Sequence, residues 1–272
     1  MNEAAIKELL YKVADDQLVI GHRNSEWTGL GPILEEDIAF SSMAQDKLGH
    51  AQACYQILHE MGEAEPDQIA FSRKANQFHN CQFVELPIGE YDFSLMRHFL
   101  YDHADQIRFE LFANSSFEPL AKLAKKVKGE IKYHVFHGNT WIQKLSTANE
   151  ISKIRMQAAL DESWNYALGI FEPGTFEEEL KNEGVFEGEL ALQNKWLAAV
   201  CPLLEQAGLK VPEKAKWLET VSPLLEKSGL KIPEKSSWEP VLGGRKGYHL
   251  AHLENLVSEM SEVFQIDPSA TW

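Results

Sequence analysis

The sequence is poor in cysteine and has no long apolar run. Its three cysteines, Cys54, Cys81 and Cys201, lie far apart and form no CxxC pair. A disulfide framework or a zinc finger is therefore not expected, and a reducing, cytoplasmic compartment fits this count. No run of 18 apolar residues is present, so we expect no membrane span. The first residues also lack the basic start, apolar stretch and cleavage site of a signal peptide.

Basic residues are few compared with acidic ones. The 272 residues include 26 Lys and Arg against 41 Asp and Glu, which gives a formal net charge of −15. This excess of negative charge argues against nucleic acids and anionic membranes as main partners. The GxSxG, Walker A and GxGxxG patterns are all absent, so the esterase, P-loop and Rossmann classes have no support. With 44% hydrophobic and 25% charged residues, a globular protein is expected.

The apolar residues recur at helical spacing along most of the chain, and no convincing strand pattern occurs. Pro32 suits the first turn of one long helix, and Gly62 suits its end. The sequence therefore predicts an all-α bundle of long helices with further helices toward the C-terminus, in one domain over residues 1–272. The predicted helices cover residues 4–20, 31–62, 94–115, 118–145 and 150–171, with others beginning near residues 176 and 248 and short turns over 66–90.

A tandem duplication covers residues 196–237. Residues 196–216, WLAAVCPLLEQAGLKVPEKAK, are followed by the similar 217–237, WLETVSPLLEKSGLKIPEKSS. Each unit has the pattern of a short helix that ends at a glycine, followed by an extended segment that contains Val-Pro or Ile-Pro. Two units are too few for a solenoid, so we consider a duplicated surface connection and an added docking surface for a partner.

Carboxylates and imidazoles fall on the apolar faces of three predicted helices. Such groups build metal sites in helix bundles, often as Glu-x-x-His. They equally form buried hydrogen-bonded pairs without metal, and Lys47 is placed to neutralise a buried Asp102. The groups are Asp46 and His50 on the second helix, His98, Asp102 and His103 on the third, and Glu130, His134 and His137 on the fourth, with Gln17 on the first.

A glycine-rich basic segment, GGRKG, precedes the predicted C-terminal helix. Its Arg245 and Lys246, together with backbone amides at a helix N-terminus, could bind an anion. The motif is short, and a flexible turn whose charges are solvated is the favoured alternative.

Several longer segments together resemble one known family. They are IAFSRKANQFHNCQFVELPIGEYDFS, RHFLYDHADQIRFELF, GEIKYHVFHG and the C-terminal GGRKGYH. The chain resembles, over almost its whole length, the C-subunit (PaaC) family of bacterial ring-1,2-phenylacetyl-CoA epoxidases, which are ferritin-like multicomponent monooxygenases. The resemblance implies a ferritin-like bundle. The second copy of the 196–237 duplication departs from that family pattern.

The related A subunit of these enzymes holds a di-iron centre, and the resemblance assigns its ligand positions to residues of this chain. Those positions fall at Gln17, Lys47, His50, Asp102, Ile131 and His134. Only the histidines and the aspartate match the ligand types. Two ferrous ions need about four carboxylates to balance their charge. We therefore predict a degenerate site that binds no metal and in which Lys47 pairs with Asp102.

The resemblance implies a non-catalytic scaffold subunit that pairs with the di-iron A subunit in aerobic phenylacetate degradation. It also implies a separate reductase, and an acyl-CoA substrate that this chain meets at most through phosphate contacts of Arg245 and Lys246. The chain itself would hold no cofactor and would not be an enzyme alone. The alternative is a metal-dependent oxygenase or oxidase active on its own, with improvised ligands at Asp46, His50, Asp102, Glu130 and His134.

Overall fold

The computed structural model describes residues 1–212 and 238–269, and these residues form helices and turns without a β-strand. The helices are α1 (Glu3–Ser25), α2 (Leu34–Glu60), α3 (Pro66–Phe71), α4 (Gln82–Glu85), α5 (Tyr91–Phe112), α6 (Glu118–Ala148), α7 (Glu150–Leu168), α8 (Glu177–Asn182), α9 (Glu189–Gln206) and α10 (Ala251–Ile266). The prediction of an all-α chain is confirmed, and the long helices form a ferritin-like bundle.

Four long helices make the bundle. α1 packs along α2, α5 packs along α6, and α2 contacts α6 across the bundle. Hydrogen bonds join residues 36, 46 and 50 of α2 to residues 137, 134 and 130 of α6, so these two helices are antiparallel. α7 lies against α5 and α6, and α9 lies against α5. The core of the protein therefore lies between α1, α2, α5 and α6.

Local signals explain most helix ends, and some predicted boundaries shift. Asn2 accepts a hydrogen bond from the amide of Ala5 and caps α1. α2 starts at Leu34 rather than next to Pro32, and the chain leaves it at Gly62, whose φ of 91° few other residues tolerate. The predicted sixth helix is two helices, α8 and α9. The last helix begins at Ala251 rather than near Tyr248, because a 3₁₀ turn takes up residues 244–246.

The first unit of the duplication fits its predicted form as far as it is described. Its Trp196 lies within α9, the helix ends at Gln206, and Gly208 follows with a φ of 76°. Leu209 is buried just beyond this glycine. The second unit, residues 217–237, lies outside the described residues, and the extent of the domain stays a prediction.

Candidate degenerate metal centre

The six positions assigned by the resemblance meet inside the bundle. Gln17 comes from α1, Lys47 and His50 from α2, Asp102 from α5, and Ile131 and His134 from α6. Each of them is at most 2% exposed. The positions that the resemblance assigned therefore lie on the inward faces of all four helices.

Lys47 occupies the middle of this site. Its Nζ lies 2.6 Å from Oδ1 of Asp102 and 2.6 Å from Oδ2 of Asp105. Burial alone would lower the pKa of Lys47, but the two carboxylates outweigh burial and raise it. Burial alone would raise the pKa of Asp102, whereas Lys47 and then His98 hold it well below its usual range. The predicted pairing of Lys47 with Asp102 is confirmed.

Asp105 belongs to this site, and sequence reasoning missed it. Its two oxygens lie 2.8 Å from Nε2 of Gln17, which also donates to the hydroxyl of Tyr101 at 3.2 Å. Asp105 follows Asp102 by three residues on α5, so both point toward Lys47. That spacing was the available signal. Gln17 therefore serves as a neutral donor to a carboxylate.

A chain of hydrogen bonds leads from Asp102 toward the first turn of α2. The Nδ1 of His98 contacts Asp102, and Nε2 of His98 lies 3.2 Å from Nδ1 of His137. Nε2 of His137 lies 3.0 Å from Oε2 of Glu36, which also accepts from the hydroxyl of Tyr91 at 2.6 Å. Sequence analysis found the two histidines but not Glu36, because an acidic residue in a first helical turn usually faces solvent.

Of the remaining candidate histidines, His103 lies 2.8 Å from Oδ1 of Asn139, whereas His50 and His134 are each bound by a carboxylate from the neighbouring helix. Nε2 of His50 lies 2.8 Å from Oε2 of Glu130, and Nε2 of His134 lies 3.0 Å from Oδ2 of Asp46. Burial and then the charge of Lys47 lower the pKa of His50. The side chain of Glu130 is 46% exposed, so this carboxylate reaches its partner from the edge of the bundle.

The residues at this site do not fit a di-iron centre. Four of the five improvised ligands of the alternative hypothesis form two His–carboxylate pairs. An ammonium group lies between the fifth, Asp102, and Asp105. Within residues 1–212 and 238–269, no three His, Cys, Asp or Glu side chains are arranged to hold a metal ion. The positive charge that iron would supply is supplied here by Lys47.

The GGRKG segment binds carboxylates of the chain itself. The guanidinium of Arg245 is buried and forms two hydrogen bonds to Asp16, at 2.7 and 2.8 Å. The backbone amides of Gly243 and Arg245 donate to Oε2 of Glu172 at 2.8 and 3.4 Å. The expected external phosphate contact is corrected for Arg245, whose partner is Asp16. Lys246 remains partly exposed.

This buried cluster fastens the C-terminal segment to the bundle. Arg245 also donates to backbone oxygens of Lys12, His79 and Ile170. Burial alone would lower the pKa of Arg245. The carboxylate of Asp16 has the larger, opposite effect, so the pKa of Arg245 is raised. Since Asp16 is on α1, the pair joins residues that are 229 positions apart.

Comparisons with known proteins show the family of this chain. The family model described as "Phenylacetic acid catabolic protein" matches residues 1–216. The chain belongs to this family. It is also 27% identical over 262 residues to the C subunit of the 1,2-phenylacetyl-CoA epoxidase of Escherichia coli (strain K12), and the match covers 96% of each protein.

The residues that the family model matches include all four bundle helices, and therefore every residue of the degenerate centre. No helix among the described residues has the length and apolar character required to cross a membrane.

Proposed function

We propose that this chain is a non-catalytic subunit of a phenylacetyl-CoA epoxidase complex, in which it pairs with the di-iron A subunit and stabilises it. The similarity to the E. coli protein supports the complex. The observation that carries the non-catalytic role is the ammonium group of Lys47 between Asp102 and Asp105. A buried cation at that point repels ferrous ion, so the oxygen chemistry belongs to the partner.

The bundle interior also supports a role in rigid positioning. The large side chains in it are fully buried, and its charged groups are bound to one another rather than left open for a substrate. An interior whose charged groups are paired favours a single packing arrangement, which suits a subunit that supports another subunit.

Electrons and substrate would reach the complex through other subunits. A reductase would supply the electrons, and the acyl-CoA would bind mainly to the A subunit. Of the two residues considered for CoA phosphate contacts, Lys246 is partly exposed, whereas Arg245 is bound to Asp16.

A reconstitution experiment tests this function. The chain, the A subunit and the reductase are purified separately, and phenylacetyl-CoA oxidation is measured for each alone and for the combinations. We expect no turnover from this chain with reductase alone. We also expect a stable complex with the A subunit and higher activity of A in that complex. Metal-dependent turnover by this chain without A would instead support the stand-alone oxygenase.

A further inference from the structure

The first copy of the duplicated unit binds in a groove on the side of the bundle. The indole ring of Trp196 contacts the rings of Trp164 and Phe171, with centroid distances of 5.4 and 5.1 Å. Its Nε1 donates to the backbone oxygen of Leu100 at 2.9 Å. We call the surface formed by Leu100 of α5, Gln157 and Trp164 of α7, and Phe171 the α9 groove. This groove holds the start of the first copy through one fully buried tryptophan.

Further hydrogen bonds to the first copy reach its backbone. The side-chain amide of Gln157 accepts from the N–H of Lys210 at 2.7 Å and donates to the carbonyl oxygen of the same residue at 3.0 Å. Nε1 of Trp238, which follows the second copy, donates to the backbone oxygen of Pro212 at 2.7 Å. Bonds to backbone atoms can be made by any sequence that follows the same backbone path. Recognition of the unit therefore depends on a few apolar side chains and on its backbone conformation.

The second copy repeats the residues on which this recognition depends. The two copies are identical at 13 of 21 positions. The buried residues of the first copy, as far as it is described, are Trp196, Val200, Leu204, Ala207 and Leu209. The corresponding residues of the second copy are Trp217, Val221, Leu225, Ser228 and Leu230. Gly208, which has a φ of 76°, corresponds to Gly229.

The differences between the copies lie mainly at positions that the groove does not cover. Five differing positions of the first copy, residues 198, 199, 201, 206 and 211, are exposed or half-buried. Among its described buried positions, one differs, where Ser228 corresponds to Ala207. The second copy therefore has the side chains that the groove binds.

The chain returns to the place where it leaves the described part of the first copy. Because Trp238 donates to Pro212, residues 213–237 begin and end close together. If the second copy occupied the groove, residues 196–216 would instead make the excursion, between Lys195 and Trp217. The entropy of closing a loop depends on its length, and each excursion is about one unit long. Loop closure therefore favours neither copy.

Two other effects favour the first copy. It continues α9 from Glu189 without interruption, whereas occupation by the second copy would break the helical hydrogen bonds that cross Lys195. It also buries the methyl group of Ala207, whereas the second copy would bury the hydroxyl group of Ser228. These effects explain why the structure has the first copy in the groove.

We propose that the α9 groove is a binding site for either copy of the unit, and that residues 217–237 occupy it when residues 196–216 are weakened or withdrawn. The first copy is the favoured occupant, and the second copy is its replacement. The core beside α5 and α7 thereby stays covered when the first copy leaves. This property belongs to the chain itself and does not rest on the proposed function.

Three variants of the full chain test the exchange: Trp196→Ala, Trp217→Ala and the double variant, each followed by thermal melting. We expect Trp217→Ala to stay within about 2 °C of the parent. The double variant should melt at least about 8 °C lower, because neither copy then supplies the tryptophan. Trp196→Ala should lose no more than about half as much as the double variant, because the second copy replaces the first.

Two controls accompany this cycle. Trp164→Ala removes a ring of the groove that both copies need, so adding Trp217→Ala to it should lower the melting temperature by no more than about 2 °C. Leu204→Ala and Leu225→Ala repeat the cycle at a second buried position, because Leu204 is fully buried and Leu225 corresponds to it. The same dependence on both copies is expected.

The thiol of Cys201 reports directly on the first copy. The corresponding residue of the second copy is Ser222, and Cys54 and Cys81 are at most 1% exposed. The rate at which Cys201 reacts with an alkylating reagent is measured by mass spectrometry at a temperature where each variant is folded. Trp196→Ala should raise this rate by on the order of tenfold, because the first copy has left the groove, and Trp217→Ala should leave it unchanged.

The outcomes decide the proposal. If Trp196→Ala is as unstable as the double variant, or does not fold, the second copy cannot replace the first and the proposal is overturned. Near-parental stability of both Trp196→Ala and the double variant would also overturn it, since the groove would then not depend on a tryptophan from either copy. If Trp196→Ala is stable but Cys201 reacts at the parental rate, the first copy has stayed in place and no exchange occurs.

Discussion

Nζ of Lys47 lies 2.6 Å from Oδ1 of Asp102 at the centre of a helix bundle. Both side chains are fully buried, so neither has water to solvate its charge. Asp105 shares the ammonium group from the other side. The pairing makes charge neutralisation by metal unnecessary at this point, and it makes the fold dependent on Lys47.

Removal of the buried ammonium should destabilise the protein strongly. Lys47→Met keeps the length of the side chain but leaves Asp102 and Asp105 facing each other without a cation. Breaking a buried pair typically costs about 3–5 kcal/mol, and we expect a loss of that size in chemical denaturation. Lys132→Met, on the exposed side of α6, should change the free energy of unfolding by less than about 0.5 kcal/mol. Equal stability of the two variants would contradict the assignment.

Acid should destabilise the protein from about pH 6.5 downward. Burial lowers the pKa of His98 and of His50 below the ordinary value of 6.5. As the pH falls, the unfolded chain binds protons at these imidazoles before the folded chain does, so the free energy of unfolding falls. Each such group contributes up to about 1.4 kcal/mol per pH unit.

The lowered pKa of Asp102 acts at lower pH. Its contribution to stability is fully present above the ordinary carboxyl pKa of 3.8 and is lost as the pH falls further.

Denaturation curves at several pH values from neutral to mildly acidic measure the effect of the buried histidines on stability. His50→Gln should reduce the slope of stability against pH. Stability that is constant or rises toward acid would contradict neutral buried histidines.

Arg245 and Lys246 should differ sharply despite being neighbours. Arg245→Met removes both guanidinium hydrogen bonds from buried Asp16, so we expect a loss of about 3–5 kcal/mol and faster proteolysis of the C-terminal segment. Lys246→Met should leave stability within about 0.5 kcal/mol of the parent. If Arg245→Met folds with parental stability and weakens only acyl-CoA binding to the complex, the structural role of this arginine is wrong.

Two glycines should respond in opposite directions to alanine. A Cβ on Gly244 would lie 2.3 Å from the backbone oxygen of Asn80, whereas a Cβ on Gly129 would meet nothing within 4 Å. We expect Gly244→Ala to destabilise by about 1–3 kcal/mol through overpacking. Gly129→Ala should stabilise α6 by about 0.5–1 kcal/mol. Thermal melting of both variants measures this, and a stabilising Gly244→Ala would rule out the close approach.

Helical periodicity was sufficient to predict the bundle, and the resemblance to the epoxidase family identified the positions of the degenerate centre on its helices. Lys47 and Asp102 could be paired from sequence because each is a charged residue among apolar neighbours, and such a residue needs a partner. Asp105 was missed because its neighbour Asp102 already accounted for the charge of Lys47. Only the position of the Lys47 ammonium group in the structure shows that both aspartates bind it.

The contacts of the C-terminal segment were beyond sequence reasoning. Arg245 and Asp16 are 229 residues apart, and periodicity gives no information on which distant elements meet. The glycines and basic residues of GGRKG were compatible both with an anion site and with a solvated turn. They could not indicate that the anions are Asp16 and Glu172 of the same chain.

Metal content is the decisive property of the degenerate centre. The chain is expressed alone in cells grown with ample iron and manganese, purified without chelator, and examined by elemental analysis, with the A subunit prepared in parallel as the positive control. We predict iron and manganese at background level in this chain and stoichiometric iron in the A subunit. Tightly held, stoichiometric metal in this chain, lost on substitution of His50 and His134, would contradict the replacement of the metal charge by Lys47.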